Sequence, residues 1–270
     1  MVKLDKNGRK GEFKEIKPKD VVYAVLPIIS LGLLVFLWYY VSSSTPDMFP
    51  TMQATWARLI KLFEQPIMRV SYFGHIWASL KRVLIALCAA IVIGIPFGTM
   101  LGWNRKLDAF FGSIFNIIRP IPPLAWIPLI IIAFGIGEFP KVLIVFIGAV
   151  MPIVINTRAG LKNVEPLYLD VGRLFDANRR QMLIEVAIPS AIPAIIAGIK
   201  TATSTGWMVV LAAEMLSAKS GVGFLVTRGM DGNDMPLVLV AMITIGIVGA
   251  LLGVITSIIE RLLCPWLQIK

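Results

Sequence analysis

Histidine occurs once in these 270 residues, cysteine twice, and charged residues make up only 16% of the chain. Cys88, Cys264 and His75 stand far apart in sequence, so none has the spacing of a zinc site, a CxxC redox pair or a disulfide framework. The two thiols read as packed or lipid-facing groups and His75 as an interfacial, structural residue. A P-loop is also missing. The nearest match, GIKT at 198–201, places a residue between Gly and Lys and sits inside an apolar run, so it offers no amide cradle for phosphates. The formal charge of +10 has no basic run interleaved with aromatics, which argues against a nucleic-acid partner. Asp and Glu are absent from the interiors of the long apolar runs, which argues against an ion-coupled secondary transporter with intramembrane carboxylates. The lack of His, Cys or carboxylate clusters argues in the same way against an integral membrane enzyme.

What the chain has in quantity is apolar sequence. Hydrophobic residues make up 57%, the mean hydropathy is +0.80, and the apolar residues come in uncharged blocks. These blocks run 21–46, 83–104, 120–137, 142–157, 186–213 (interrupted by Lys200) and 235–259. A bilayer needs about 20 residues of helix, and a spanning segment must satisfy its own backbone hydrogen bonds. The reading is an all-α, polytopic membrane protein of six transmembrane helices, with the second beginning as early as His75. Residues 1–20 are polar and mixed in charge. They read as a tail ahead of a retained first span, since a cleavable signal has a short basic stretch, a brief apolar core and a small-residue cleavage site.

Lys and Arg set the orientation. If both termini are cytoplasmic, seventeen of the 26 basic residues fall on the inner side and six on the outer, with Lys81, Arg82 and Lys200 left at span edges or within spans. The resulting layout has an N-terminal tail (1–20), one permease domain (21–265) and a short C-terminal tail (266–270). An outer connection at about 42–74 carries Met52, Trp56, Leu59, Ile60 and Phe63 at near-helical spacing, the pattern of an interfacial helix. A second outer segment, about 214–234, reads as a folded loop, and the cytoplasmic loop lies at about 158–189.

That cytoplasmic loop is the anomaly. DVGRLFDANRRQMLIEVAIP (170–189) concentrates charge in an otherwise apolar chain. Leu167, Val171 and Leu174 share a helical face with Tyr168 and Phe175 beside it, Asp176-Ala177-Asn178 tolerates a turn, and a second short amphipathic piece ends at Pro189. Two helices meeting at a turn make a compact knob.

The spacing resembles the cytoplasmic Glu-Ala-Ala signature of ABC importer permeases. In that signature Gly follows after three residues, and Ile-x-Leu-Pro after nine more. Here the Glu position is Asp170, the Ala positions are Val171 and Gly172, the Gly position is Asp176, and the ending is Val186, Ile188 and Pro189. RPIPPLAWIPLIIIAFGIGEFPK (119–141), IPSAIPAIIAGIK (188–200) and GWMVVLAAEMLSAKSGVGFLV (206–226) are similar to the nitrate/sulfonate/taurine/bicarbonate branch, over about residues 75–265. The resemblance implies a type I ABC importer permease fold in a bacterial or archaeal plasma membrane. It also implies two copies of the chain around one path, two ATP-binding subunits carrying ATP and magnesium, and an extracytoplasmic substrate-binding protein. The chain itself would bind no cofactor and hydrolyse nothing. The implied ATPase contact comprises Asp170, Val171, Gly172, Arg173, Asp176, Ala177, Arg179 and Arg180. Taurine or another sulfonate is the first choice of solute, with nitrate, bicarbonate or a vitamin precursor as alternatives.

Candidates for the solute path are Trp126, Lys200, Ser204, Thr205, Trp207 and Glu214. Hydroxyls and an indole N–H suit sulfonate oxygens, but small polar residues also join helices in lipid. Lys200 is equally readable as a snorkelling or ion-paired cation. Prolines 120, 122, 123 and 128 interrupt the third span. Gly94, Gly98 and Gly102 form a close-contact face, to the same chain or to a partner copy.

Overall fold

Ser71, Asn104, Asn178 and Asp234 punctuate the chain, each turning its side-chain oxygen onto the exposed backbone N–H groups of the helix that follows. The computed structural model describes residues 18–45 and 49–265. Residues 1–17 of the expected N-terminal tail and the expected tail 266–270 lie outside the described residues. Among the described residues there is no strand, only an isolated bridge between Ile67 and Val70. The chain falls into two compact units, one ending at Ala54 and one beginning at Thr55.

The first unit contains α1 (Pro18–Ser44); Trp38 there donates its indole N–H to the Pro50 carbonyl at 3.1 Å. In the second, α2 (Met52–Glu64) is amphipathic, but its packed face differs from the stripe read in the sequence. Thr55 and Leu62 are buried, with Leu59 packing beside them, while Trp56, Ile60 and Phe63 stay exposed. Arg58 pairs with Asp234 at 2.6 Å and ties α2 to the start of the last helix.

The bundle itself is made by α3 (Tyr72–Trp103), α6 (Glu138–Lys162), α9 (Ile188–Ser217) and α11 (Met235–Leu263). Between α3 and α6, Gly94 lies against Ile153, Gly98 against Thr157 and Gly102 against Leu161. Both numbers rise together, so the helices run parallel and the glycine face meets the same chain. Gly160 against Ala191 and Ala194, and Gly198 against Asn156, show α9 running antiparallel to α6. Lys200–Glu260 and Trp207–Ile245 likewise set α11 antiparallel to α9.

Parallel α3 and α6 require a return segment, and this is where a third span (120–137) interrupted by prolines was expected. The return begins well before 120: it consists of α4 (Arg105–Ile118), a 3₁₀ turn (Pro123–Trp126) and α5 (Ile127–Phe134), with a bend of 85° between α4 and the rest. Pro120, Pro122 and Pro123 supply no N–H and fix φ, so a continuous helix cannot pass them. Five other helices are long and apolar enough to cross a bilayer, and the bent pair is the sixth candidate. Ile117, Ile132, Met208 and Leu262 project outward from different helices, an apolar surface suited to lipid.

Within the expected outer loop 214–234, α9 continues to Ser217 and α10 (Val222–Asp231) follows as a buried helix. Gly223 and Gly229 let its backbone press against Leu211 and Val238. The starts of α3, α6 and α11 and the end of α9 thus gather at one end of the bundle, here the α10 end. The opposite end carries α4 and α7 (Pro166–Leu174).

The α3–α6 contact is close enough to test. A Cβ at Gly98 would stand 2.8 Å from Thr157 Cβ and 2.9 Å from the Val154 carbonyl, whereas one at Gly246 meets nothing within 4 Å. Gly98→Leu is expected to cost about 1–3 kcal/mol, the usual range for overpacking, and to lower the unfolding temperature in detergent. Gly246→Leu should leave that temperature nearly unchanged.

Candidate functional site

Two constellations stand out, one at each end of the bundle. The first is the knob. Pro166 opens α7 at a position where its missing N–H costs nothing. The helix closes when Asp176 adopts φ 51. The Asp176 N–H then donates to the Arg173 carbonyl and the Ala177 N–H to the Gly172 carbonyl, each at 3.0 Å. This is a Schellman closure, whose left-handed residue is usually Gly. Asp fills it because a short polar side chain tolerates that region better than most.

Immediately afterwards Asn178 accepts from the Arg180 and Gln181 N–H groups while Gln181 Oε1 accepts from the Asn178 N–H at 2.9 Å, a capping box. The second piece of the knob is therefore not a separate short helix ending at Pro189. α8 (Arg179–Gln181) runs through a π turn (Met182–Ala187) into α9. Pro189 supplies no N–H for an ordinary turn at that point, and the wider turn absorbs the defect.

Gly172 is buried against Met182; a Cβ there would lie 2.8 Å from the sulfur. That contact pins α7 to the π turn and leaves the opposite face free. Val171 is exposed, and Leu174 and Phe175 are each 83% exposed. Beside them a groove of about 750 Å³ runs along Tyr168, Val171, Phe175, Glu185 and Pro193. Asp170 and Arg173 pair with each other at 2.8 Å across exposed positions, while Arg179, Arg180 and Asp176 lie open and Ala177 half-buried.

The second constellation went unrecognised as a unit in the sequence. Arg82 of α3 is only 3% exposed and makes five hydrogen bonds. Nε and Nη2 grip the Glu138 carboxylate at 2.7 and 2.8 Å, Nη1 reaches Glu214 at 2.5 Å, and the rest go to the Ser220 carbonyl and hydroxyl. Lys141 donates to Glu138 at 3.0 Å. Ser79 Oγ donates to Glu214 and accepts from the Val222 N–H, both at 2.9 Å, and the Gly223 N–H completes the Glu214 carboxylate at 3.0 Å. His75 Nδ1 accepts from the Gly221 N–H at 3.2 Å, which places the ring proton on Nε2, facing the Ile67 carbonyl at 3.3 Å.

Two cations and two carboxylates make this cluster neutral. It joins α3, α6, α9 and the segment leading into α10. Gly221, at φ +123, is required twice over: the conformation disfavours a side chain, and a Cβ would land on the Glu214 carboxylate. A signal for the cluster existed. Arg82 lies within an apolar stretch that is helical from Tyr72 onward, and a charge inside a span demands an internal partner. Its neighbour Lys81 made the pair look like a span edge.

The six path candidates do not converge. Glu214 belongs to the cluster, and Lys200 pairs with Glu260 at 2.9 Å. These two lie fourteen residues apart on one helix, roughly 21 Å at 1.5 Å per residue. Trp207 is buried with its N–H on the Ile245 carbonyl at 3.1 Å, so it joins α9 to α11. Ser204 is exposed and bonds back to the Lys200 carbonyl, and Thr205 is half-buried. Trp126 packs against the main core with its Nε1 buried and unpartnered among the described residues.

Residues 90–269 match the family model described as binding-protein-dependent transport system inner membrane component. A putative ABC transporter permease of Methanocaldococcus jannaschii is 34% identical over 91% of this chain and 92% of its own length. The taurine transport system permease of Escherichia coli is 32% identical over 89% of each. A nitrate import permease of Synechocystis is 29% identical over 92% of this chain and 93% of its own. Among solved structures, an inward-facing MetNI methionine ABC transporter aligns with a TM-score of 0.64 at 20% identity, over 74% of this chain and 98% of that one.

The buried cluster yields a stability test. Arg82→Met leaves the Glu214 carboxylate without its cation and is expected to cost about 3–5 kcal/mol, seen as a large fall in unfolding temperature. Arg82→Met combined with Glu214→Met should recover most of that loss. Equal instability of the single and double variants would show that the ion pair is not what holds this end together.

Proposed function

We propose, from the premise that this chain belongs to the binding-protein-dependent inner membrane components and is the permease subunit of an ABC importer, that it carries taurine or another sulfonate. On this reading two copies form the path in a bacterial or archaeal plasma membrane with both termini cytoplasmic. Two ATP-binding subunits, holding ATP and magnesium, receive the α7 knobs, and an extracytoplasmic binding protein delivers the solute.

The observation that carries the coupling role is the knob's free apolar face. Val171, Leu174 and Phe175 are exposed in a segment whose own backbone is closed at both ends by local caps. A short helix presenting apolar area with charges beside it suits a groove on a protein partner, where the area gives affinity and the charges fix register. Gly172 and Met182 give the knob a stiff root on α9, so a push on α7 is passed to a span rather than absorbed. Asp170 and Arg173, paired within the knob, are positioned to exchange that bond for one across the interface, with Arg179 and Arg180 adding positive charge next to it.

Sulfonate is favoured by the similarity to the taurine permease and by the likeness of 119–141 and 206–226 to that branch. Nitrate and bicarbonate are the competing solutes, because relatives of similar identity carry those names.

Reconstitution with the ATP-binding and binding-protein partners tests the coupling. Asp170→Arg and Phe175→Asp are expected to leave ATP hydrolysis in place while uptake falls at least tenfold, whereas Asp176→Gly keeps full uptake because Gly suits φ 51. Normal uptake by Asp170→Arg and Phe175→Asp together would remove α7 as the contact. Competition in the same vesicles addresses the solute: excess taurine should suppress uptake of labelled sulfonate while excess nitrate does not, and the reverse pattern would replace the sulfonate assignment.

A further inference from the structure

Away from both constellations, α4 and the last turns of α6 flank an open cavity of about 290 Å³ whose lining includes Phe115, Asn116, Arg119, Ile155, Arg158 and Lys162. Three of its seven lining residues are cations and none is a carboxylate. Asp108, nearby on α4, pairs with Arg158 at 2.6 Å and with Lys162 at 2.5 Å, which leaves the group with a surplus of two positive charges. The exposed Arg119 side chain has no hydrogen-bond or ion-pair partner among the described residues. Arg158 Nε is buried and unpartnered. Asp108 Oδ1 is likewise buried without a hydrogen bond, but one carboxylate against three cations leaves a surplus of donors that suits an oxyanion.

The rest of α4 indicates where that oxyanion comes from. Asp108, Gly112, Phe115 and Arg119 recur at helical spacing on the face turned to α6, and Phe110, Ile114 and Ile117 on the other face are exposed. That apolar face meets lipid, and the end of the bundle that α4 shares with the basic last turns of α6, Arg158 and Lys162, belongs at headgroup level. At that level phosphate groups of lipids are concentrated, and basic pockets between spans take anionic headgroups. The adjacent exposed isoleucines offer a surface for the acyl chains that a free anion would not use.

We propose that this α4–α6 cavity binds the phosphodiester headgroup of an anionic phospholipid, with Arg119 and Arg158 on the phosphate oxygens and Lys162 at its edge. The bound lipid would fasten α4 to α6 near the root of the knob.

Lipid exchange read by native mass spectrometry tests this, using the full chain purified from its membrane. After exchange into mixed phosphatidylglycerol and phosphatidylcholine micelles, the chain should retain phosphatidylglycerol in clear preference. Arg119→Gln, which breaks no ion pair, should lower that retention about fivefold, the effect of one basic residue near an anionic surface. Arg119→Lys should keep most of it, and Arg228→Gln, at the far end of the bundle, should change nothing. Equal retention of the two lipids, or an Arg119→Gln variant that behaves as wild type, would overturn the proposal. Displacement of the lipid by millimolar inorganic phosphate or taurine would assign the cavity to a soluble oxyanion and equally overturn the lipid source.

Discussion

Arg82 carries a permanent positive charge into an apolar bundle, and the α10 end is organised around neutralising it. The guanidinium has five N–H donors and all five are used, on two carboxylates and one serine. Each partner arrives on a different segment, so satisfying one side chain fixes the mutual positions of α3, α6, α9 and the turn before α10. Lipid tails give no hydrophobic drive for helix to meet helix. A buried charge with a defined set of partners therefore specifies geometry in a way that apolar packing alone does not. Gly221 and Gly223 serve the same end: the first leaves room for the Glu214 carboxylate and gives its N–H to His75, and the second brings its N–H onto that carboxylate.

The other end of the bundle solves a different problem. There the spans meet through small residues, with Gly98, Gly102, Gly160 and Gly198 bringing backbones together, and α7 projects beyond them. Its stiffness is local in origin, from a Schellman closure, a capping box and a glycine seated on a methionine sulfur. A rigid knob rooted on one long helix and a charge cluster gripping the far end of that same helix place two fixed points along α9. Pro189 and Pro193 lie between them, each removing one N–H from the helix ladder.

Several features were legible in the residues themselves. The uncharged blocks announced the spans because hydrocarbon rejects isolated charge whatever the tertiary arrangement. The spacing from Asp170 to Pro189 announced the knob because caps and turns depend on near neighbours. The left-handed turn at Asp176 followed from the same local logic. The amphipathic helix at 52–64 was legible as an interfacial element, and Trp56, Ile60 and Phe63 of its stripe do stay exposed, while the face buried through Thr55 and Leu62 was not foreseen. At a membrane interface those three exposed side chains are at home outside. The interruption of the third span was legible in its prolines, which remove N–H donors locally, but the 85° change of direction was not, because it depends on what the two pieces pack against.

Composition and spacing alone determined that this chain is helical and membrane-spanning, that it carries a capped amphipathic knob, and that it resembles importer permeases. These are consequences of solvent and of short-range backbone chemistry, which act within a few residues. Only the tertiary structure decided that α3 and α6 run parallel, that Gly94, Gly98 and Gly102 face the same chain, and that Trp207 ties α9 to α11 through the Ile245 carbonyl. It alone also joined Arg82 to a glutamate 132 positions away. The physical reason is that a charge in a span states a need for a partner without naming it, and the partner is chosen by which helices the folded chain brings side by side.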